Sequence, residues 1–186
     1  MATRSDTEAG GVARDAADDE TPTFAIFRMN DARPEEGIPI MRYEPLTPTM
    51  IEGGQRLTEA GVGAGSENRL LFSGGGYSLS YAWFKSGFPL PRHSHDTDCL
   101  YYIVAGSLRL GREELRPGDG FLLPGGTPYT YTPGPDGLEI LEFRSGGPFN
   151  IKLLANNPAF WDKALKTVET ERDGWKDQPR PSMRSV

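Results

Sequence analysis

Along Leu138–Arg144 apolar and polar positions alternate: Leu138, Ile140 and Glu142 fall on one face of an extended strand, Glu139, Leu141 and Phe143 on the other. Short apolar runs recur at Leu70–Ser73, Tyr77–Phe84, Cys99–Ala105, Ser107–Leu110, Gly120–Leu123 and Tyr129–Thr132. Turn residues separate them: Gly74 to Gly76, Pro89 to Pro91, Gly106, Gly111-Arg112, Pro117-Gly118-Asp119, Pro124 to Pro128 and Pro133 to Gly137. Strands spaced by roughly 8–12 residues, with turns between, predict a sandwich or barrel. Phe24–Met29, the first compact apolar stretch, predicts an edge or dimer strand.

Residues 30–68 carry Pro34, Pro39, Pro45, Pro48, Gly53-Gly54 and the glycines between Gly61 and Gly65, so only short strand or helix pieces are expected, at Ile38–Tyr43 and Thr49–Leu57. Near the end Asn157 is placed to cap a helix with Pro158 at its first position. Phe160, Trp161, Leu165 and Val168 then share one helical stripe. Pro179 and Pro181 forbid helix beyond. The expected organisation is a disordered acidic tail over 1–22, an arm with strands packed on the barrel over 23–69, a barrel over 70–150, a C-terminal helix over 151–172 and a loose tail over 173–186.

Composition agrees with a turn-rich β-protein, since 23 glycines and 16 prolines make about a fifth of the 186 residues. The net charge of −6 lies mostly in residues 1–23, and no basic stripe suits a phosphate backbone, so nucleic acid is not an expected partner. No apolar run reaches the ~18–20 residues of a membrane helix. Met1–Gly11 lacks the apolar stretch of a secretory signal, and the single cysteine closes no internal disulfide. A cytoplasmic location is the expectation.

The two histidines, His93 and His95, stand two apart. On a strand, such residues share a face, which makes half of a metal site or an acid–base pair. Buried packing is the competing reading for an isolated pair.

The surroundings add to this. Gly87 precedes His93 by six residues, Cys99 follows His95 by four, and Gly106 closes the segment; then Gly118 leads into Pro124-Gly125-Gly126 and Tyr129. Over about residues 70–145 this arrangement resembles the cupin superfamily, whose two motifs place glycines, a proline, three histidines and a glutamate at these offsets. The resemblance implies an all-β, jelly-roll barrel with a ligand-sized mouth, holding one transition metal through three histidines and one glutamate. It also implies a homodimer. Two positions depart from the pattern: Cys99 stands where the glutamate belongs, and Tyr129 where the last histidine belongs.

Three readings of that departure stay open. A metal persists on His93, His95, a Cys99 thiolate and Tyr129, with iron favoured and zinc or copper also suited to the softer ligands. Alternatively the carboxylate comes from Asp96, Asp98 or Glu142. In the third reading the metal is lost and the barrel binds an organic ligand. Cys99 is either a reactive thiolate or a small buried hydrophobe. Tyr101 shares parity with Cys99, and Tyr131 with Tyr129, so these phenols are expected to line the cavity, as substrate-binding groups or as packing. Tyr102 and Arg92 point the other way, and Trp83, Phe84 and Phe88 are expected in the core.

By family analogy the expected function is a metal-dependent enzyme acting on a small organic molecule, with dioxygenase or oxygenase chemistry, Cys99 and Tyr129 being the candidate catalytic groups. The alternatives are a non-catalytic small-molecule-binding or sensor cupin, and a metal-dependent isomerase, lyase or hydrolase.

Overall fold

A computed structural model of the protein describes residues 24–35 and 40–183. In chain order its elements are β1 (Arg33–Pro34), β2 (Met41–Tyr43), α1 (Pro48–Ala60), β3 (Ser66–Gly74), β4 (Tyr77–Phe84), β5 (His93–His95), β6 (Cys99–Leu110), β7 (Glu113–Leu115), β8 (Gly120–Leu123), β9 (Thr132–Ser145), β10 (Phe149–Leu153) and α2 (Pro158–Asp177). The larger sheet runs β1-β3-β4-β9-β6-β7, with β8 also paired to β6, and the smaller runs β2-β10-β5. All pairings are antiparallel except β2 with β10. This is the expected β-strand cup with a C-terminal helix.

The period-2 pattern decides which side chains enter the cup. Along β6, Cys99, Tyr101 and Ile103 are buried while Leu100, Tyr102 and Val104 are open to solvent. Along β9, Leu138, Ile140 and Arg144 are buried on the inward parity. Phe84 and Phe88 lie in the core, as expected, whereas Trp83 is only half-buried.

Two expected strands merge into β6 because Gly106 absorbs the break. It sits at φ 75°, and a Cβ there would fall 2.1 Å from the Gly137 carbonyl oxygen. Opposite it, the segment from Pro133 to Gly137 is strand rather than the expected turn. β9 passes through both prolines, and the missing N–H groups coincide with a register shift between Gly106 and Leu108 on β6.

The helices depart most from expectation. α1 is longer than the piece foreseen at Thr49–Leu57. Thr47 caps it, accepting from the Met50 N–H at 3.4 Å, and Pro48 opens it. Its buried Met50, Gly53 and Leu57 recur at helical spacing and face α2. A Cβ on Gly53 would fall 2.1 Å from the Trp161 ring, so glycine is what lets the two helices approach. α2 starts at the foreseen Asn157 cap, whose side chain accepts from Ala159 N–H at 3.0 Å, while residues 151–153, expected in the helix, belong to strand β10.

The expected loose tail from 173 is also corrected. α2 continues to Asp177 because Trp175 is fully buried, its Nε1–H donating to the Ser86 carbonyl at 2.9 Å. Beyond it, Arg180 pairs with Glu67 and Ser182 with Glu139. Phe24–Met29 is not a strand. Its residues are largely exposed and pair with no strand among the described residues, with Phe27 reaching the Phe72 ring at 6.1 Å. The barrel begins at Ser66 rather than 70. The acidic stretch 1–22, and residues 38–39 of the piece foreseen at Ile38–Tyr43, fall outside the described residues. Among the described residues no helix is long and apolar enough to cross a membrane.

Candidate functional site

The histidine strand is held from both sides. β10 pairs with β5 in the register His95 to Ile151 and His93 to Leu153. On the other side His93 and Tyr129 exchange backbone hydrogen bonds of 3.0 and 2.9 Å. The shared face brings the two imidazoles to a centroid separation of 5.1 Å at 72°.

Their tautomers follow from their partners. His93 Nδ1 lies 2.7 Å from the Pro91 carbonyl oxygen, and His95 Nδ1 lies 3.2 Å from that of Asn150. A carbonyl only accepts, so each Nδ1 carries the hydrogen and each neutral ring keeps its Nε2 lone pair. Burial lowers the His93 pKa, and burial, the Arg144 guanidinium and His93 push His95 down to about 3. The Tyr129 hydroxyl donates to His93 Nε2 at 2.8 Å, and the Tyr101 hydroxyl donates in turn to the Tyr129 oxygen. Burial, reinforced by Glu142, raises both phenols, so they remain protonated donors.

A cavity of about 440 Å³ opens on this pair. Its polar lining includes His93, His95, Tyr129, Glu142 and Arg144, with Ser66 and Asn68 from β3 and Thr58 from α1. Its apolar lining comes largely from the helices and the segment after β4, with Met50, Leu57, Phe88 and Trp161 prominent. Tyr131 lines it too, fully enclosed against Phe84 and Phe121. Glu35 joins from the arm, its carboxyl raised by burial and by Glu142.

Of the residues singled out in the sequence, His93, His95, Tyr129 and Tyr131 meet at this cavity. Tyr101 and Cys99 are buried and do not line it. Tyr101 acts on the cavity only through Tyr129. Cys99 is 1% exposed between β8 and β9, and burial pushes its thiol up to about 12, so it stands there as a protonated thiol. The alternative aspartates are engaged elsewhere: Asp96 accepts from Asn150 N–H at 2.7 Å, and Asp98 from Gly125 N–H at 2.8 Å. Both hold turns. Glu142 does reach the cavity. The residue the sequence reading passed over is Arg144, and the signal was present, since 142 and 144 extend the inward face of Ile140.

These contacts fold the two motif segments onto each other. Gly126 N–H donates to the His95 carbonyl at 2.6 Å, Tyr129 lies against His93, and Gly106 stands at the tight approach to Gly137. The protein has the cupin fold. No family model and no curated protein matches the chain. Among solved structures similar to it are KdgF from Halomonas sp. (26% identity over 44% of this chain and 81% of that one, TM-score 0.37), and an RmlC-like cupin from Shewanella frigidimarina (20%, 45% and 78%, TM-score 0.39). A third is the polyketide cyclase RemF from Streptomyces resistomycificus (21%, 56% and 82%, TM-score 0.46).

The cupin frame implies a metal, and the imidazole pair suits one. The Nδ1–H bonds to backbone carbonyls leave both Nε2 atoms unprotonated, the arrangement that fixes a metal-binding tautomer, although at His93 that lone pair accepts from the Tyr129 hydroxyl. Among the described residues no third His, Cys, Asp or Glu completes a metal-holding group with them. Beyond the two nitrogens, the neighbouring donor is the Tyr129 oxygen.

Proposed function

We propose that this cupin is a metal-dependent enzyme acting on a small organic molecule in the cavity beside His93 and His95. The observation that carries the reading is the paired Nδ1–H to carbonyl hydrogen bonding, which leaves both Nε2 atoms unprotonated and able to ligate, His93 once the Tyr129 hydroxyl gives up its hydrogen bond there. His93 and His95 would hold the metal, with Tyr129 as neighbour or third ligand, and iron, zinc or copper all suit such donors. A metal bound there would supply Lewis acidity or dioxygen activation, the latter giving oxygenase chemistry. The chain's own contribution is protonic: Tyr129 holds a hydrogen at His93, and Tyr101 stands ready to replace it.

The same hydrogen-bonded pair of phenols supports a second reading, a metal-dependent lyase, isomerase or hydrolase, because such reactions turn on proton transfer to and from substrate. We further propose a homodimer, supported by the apolar outer face where Leu100, Tyr102, Leu122 and Phe143 are exposed side by side.

Metal analysis of the purified full chain tests the leading reading. Near-stoichiometric metal that disappears in the His93→Ala, His95→Ala double variant is expected. Equal, trace metal in both proteins, before and after incubation with Fe(II), Zn(II) or Cu(II), sinks it. Turnover that persists without dioxygen selects the second reading over oxygenase chemistry.

A further inference from the structure

Arg144 has no part in that scheme, yet it is the most deeply buried charged residue lining the cavity. Its side chain is 3% exposed. Nη2 bonds the Glu142 carboxylate, and the guanidinium carbon lies 4.1 Å from the centre of the Phe149 ring. Nε and Nη1 have no acceptor among the described residues. Unsatisfied N–H groups on a buried cation are costly, more so than on a neutral group, and are rarely left without cause.

Three features define what would satisfy them. A guanidinium flanked by an aromatic face recognises an oxyanion through charge-assisted hydrogen bonds. Glu142 occupies one of the three nitrogens, and Glu35 lines the same cavity, so a second negative group on the ligand would meet repulsion. The remaining lining contributed by α1, α2 and Phe88 is apolar apart from Thr58. The volume lies at the low end of the ~300–1,000 Å³ typical of small-molecule sites.

We infer that Arg144 is the docking residue for the substrate, and that the substrate is a small monocarboxylate with an apolar body. The carboxylate accepts from Nε or Nη1 of Arg144, and the body lies against the helical wall near Met50 and Trp161. The inference rests on the proposed function for placing substrate in this cavity, and is independent of whether a metal is bound.

Calorimetric titration of the chelator-treated full chain tests it, with 3-phenylpropanoate, 3-phenylpropanamide and 3-phenylpropylamine as probes of one shape and three charges. The acid is expected to bind about tenfold or more tightly than the amide, and the amine not at all. Arg144→Gln should abolish the preference for the acid. Because that variant removes a buried group and is at risk of unfolding, Glu142→Gln gives a second reading: releasing the competing carboxylate should tighten the acid and leave the amide unchanged. Equal binding of acid and amide, no binding of the acid, or an Arg144→Gln protein that binds the acid like wild type, overturns the inference. Trace metal in the wild-type chain together with Arg144-dependent acid binding identifies a failure of the metal reading alone. Metal retained in Arg144→Gln, with acid binding lost from neither variant, identifies a failure of this one.

Discussion

The strand region around His93 and the pair of helices beside it are specified in different ways. The strand region depends on backbone conformation at single positions: Gly106 approaches Gly137, Asp98 receives the Gly125 N–H, and His93 and Tyr129 bond main chain to main chain. The helical region depends on side-chain volume matched across long sequence separations, with Trp161 filling the space above Gly53 and Trp175 packed against Gly65 and Phe88. The first keeps a shape by forbidding alternatives. The second keeps it by excluding voids, and it supplies most of the apolar lining of the cavity.

If that distinction holds, the largest loss comes from emptying the helical side. Trp175→Ala should cost about 3–5 kcal/mol in urea unfolding, since it opens a void and removes the Nε1–H bond to Ser86. A cost below about 1 kcal/mol would make α2 an appendage and end the comparison. Gly106→Ala should come next, at about 2–3 kcal/mol, by forcing a Cβ into a left-handed position against the Gly137 carbonyl. A neutral effect would mean the strand region is not governed by backbone conformation.

The smallest effect sharpens the boundary between the two. Burial works against the charge on Glu67, but hydrogen bonds from Arg69 and Arg180 outweigh it and hold the carboxyl below its ordinary 4.5. Its contribution is therefore full above about 4.5 and is lost as pH falls through the lowered folded value. Glu67→Gln should cost under about 1 kcal/mol at neutral pH, the pair being partly exposed, and should flatten the acid limb of the stability profile. An unchanged acid limb would show that Arg180 does not fasten the C-terminal segment to β3.

The same contrast explains what could be read from the sequence. The turns at Gly75, Gly111, Gly118 and Gly126, the Asn157 cap and the two-residue spacing of the histidines are local signals, and each lies where its neighbours predict, whereas Gly106 and Gly137 fall within strands. Tyr129 could be placed beside His93 only through the motif resemblance, which puts it where the last histidine belongs. Cys99 could not be resolved the same way: parity placed it inward, but only the neighbouring strands decide that it is sealed within the wall and not open to the cavity. The lengths of α1 and α2 depend on tryptophans meeting partners about a hundred residues away, and no local pattern encodes that. Arg144 reads as an ordinary strand end until Phe149 and Glu142 are seen to enclose it.

The smaller sheet draws its three strands from residues 41–43, 93–95 and 149–153. A nascent chain therefore exposes the histidine strand long before its sheet partner has been synthesised, while every strand of the larger sheet is already available by residue 145. Ribosomal synthesis imposes an order on assembly: the larger sheet has its full complement first, and the histidine strand, already able to pair with Tyr129, gains its β10 neighbour only once the chain has passed Leu153.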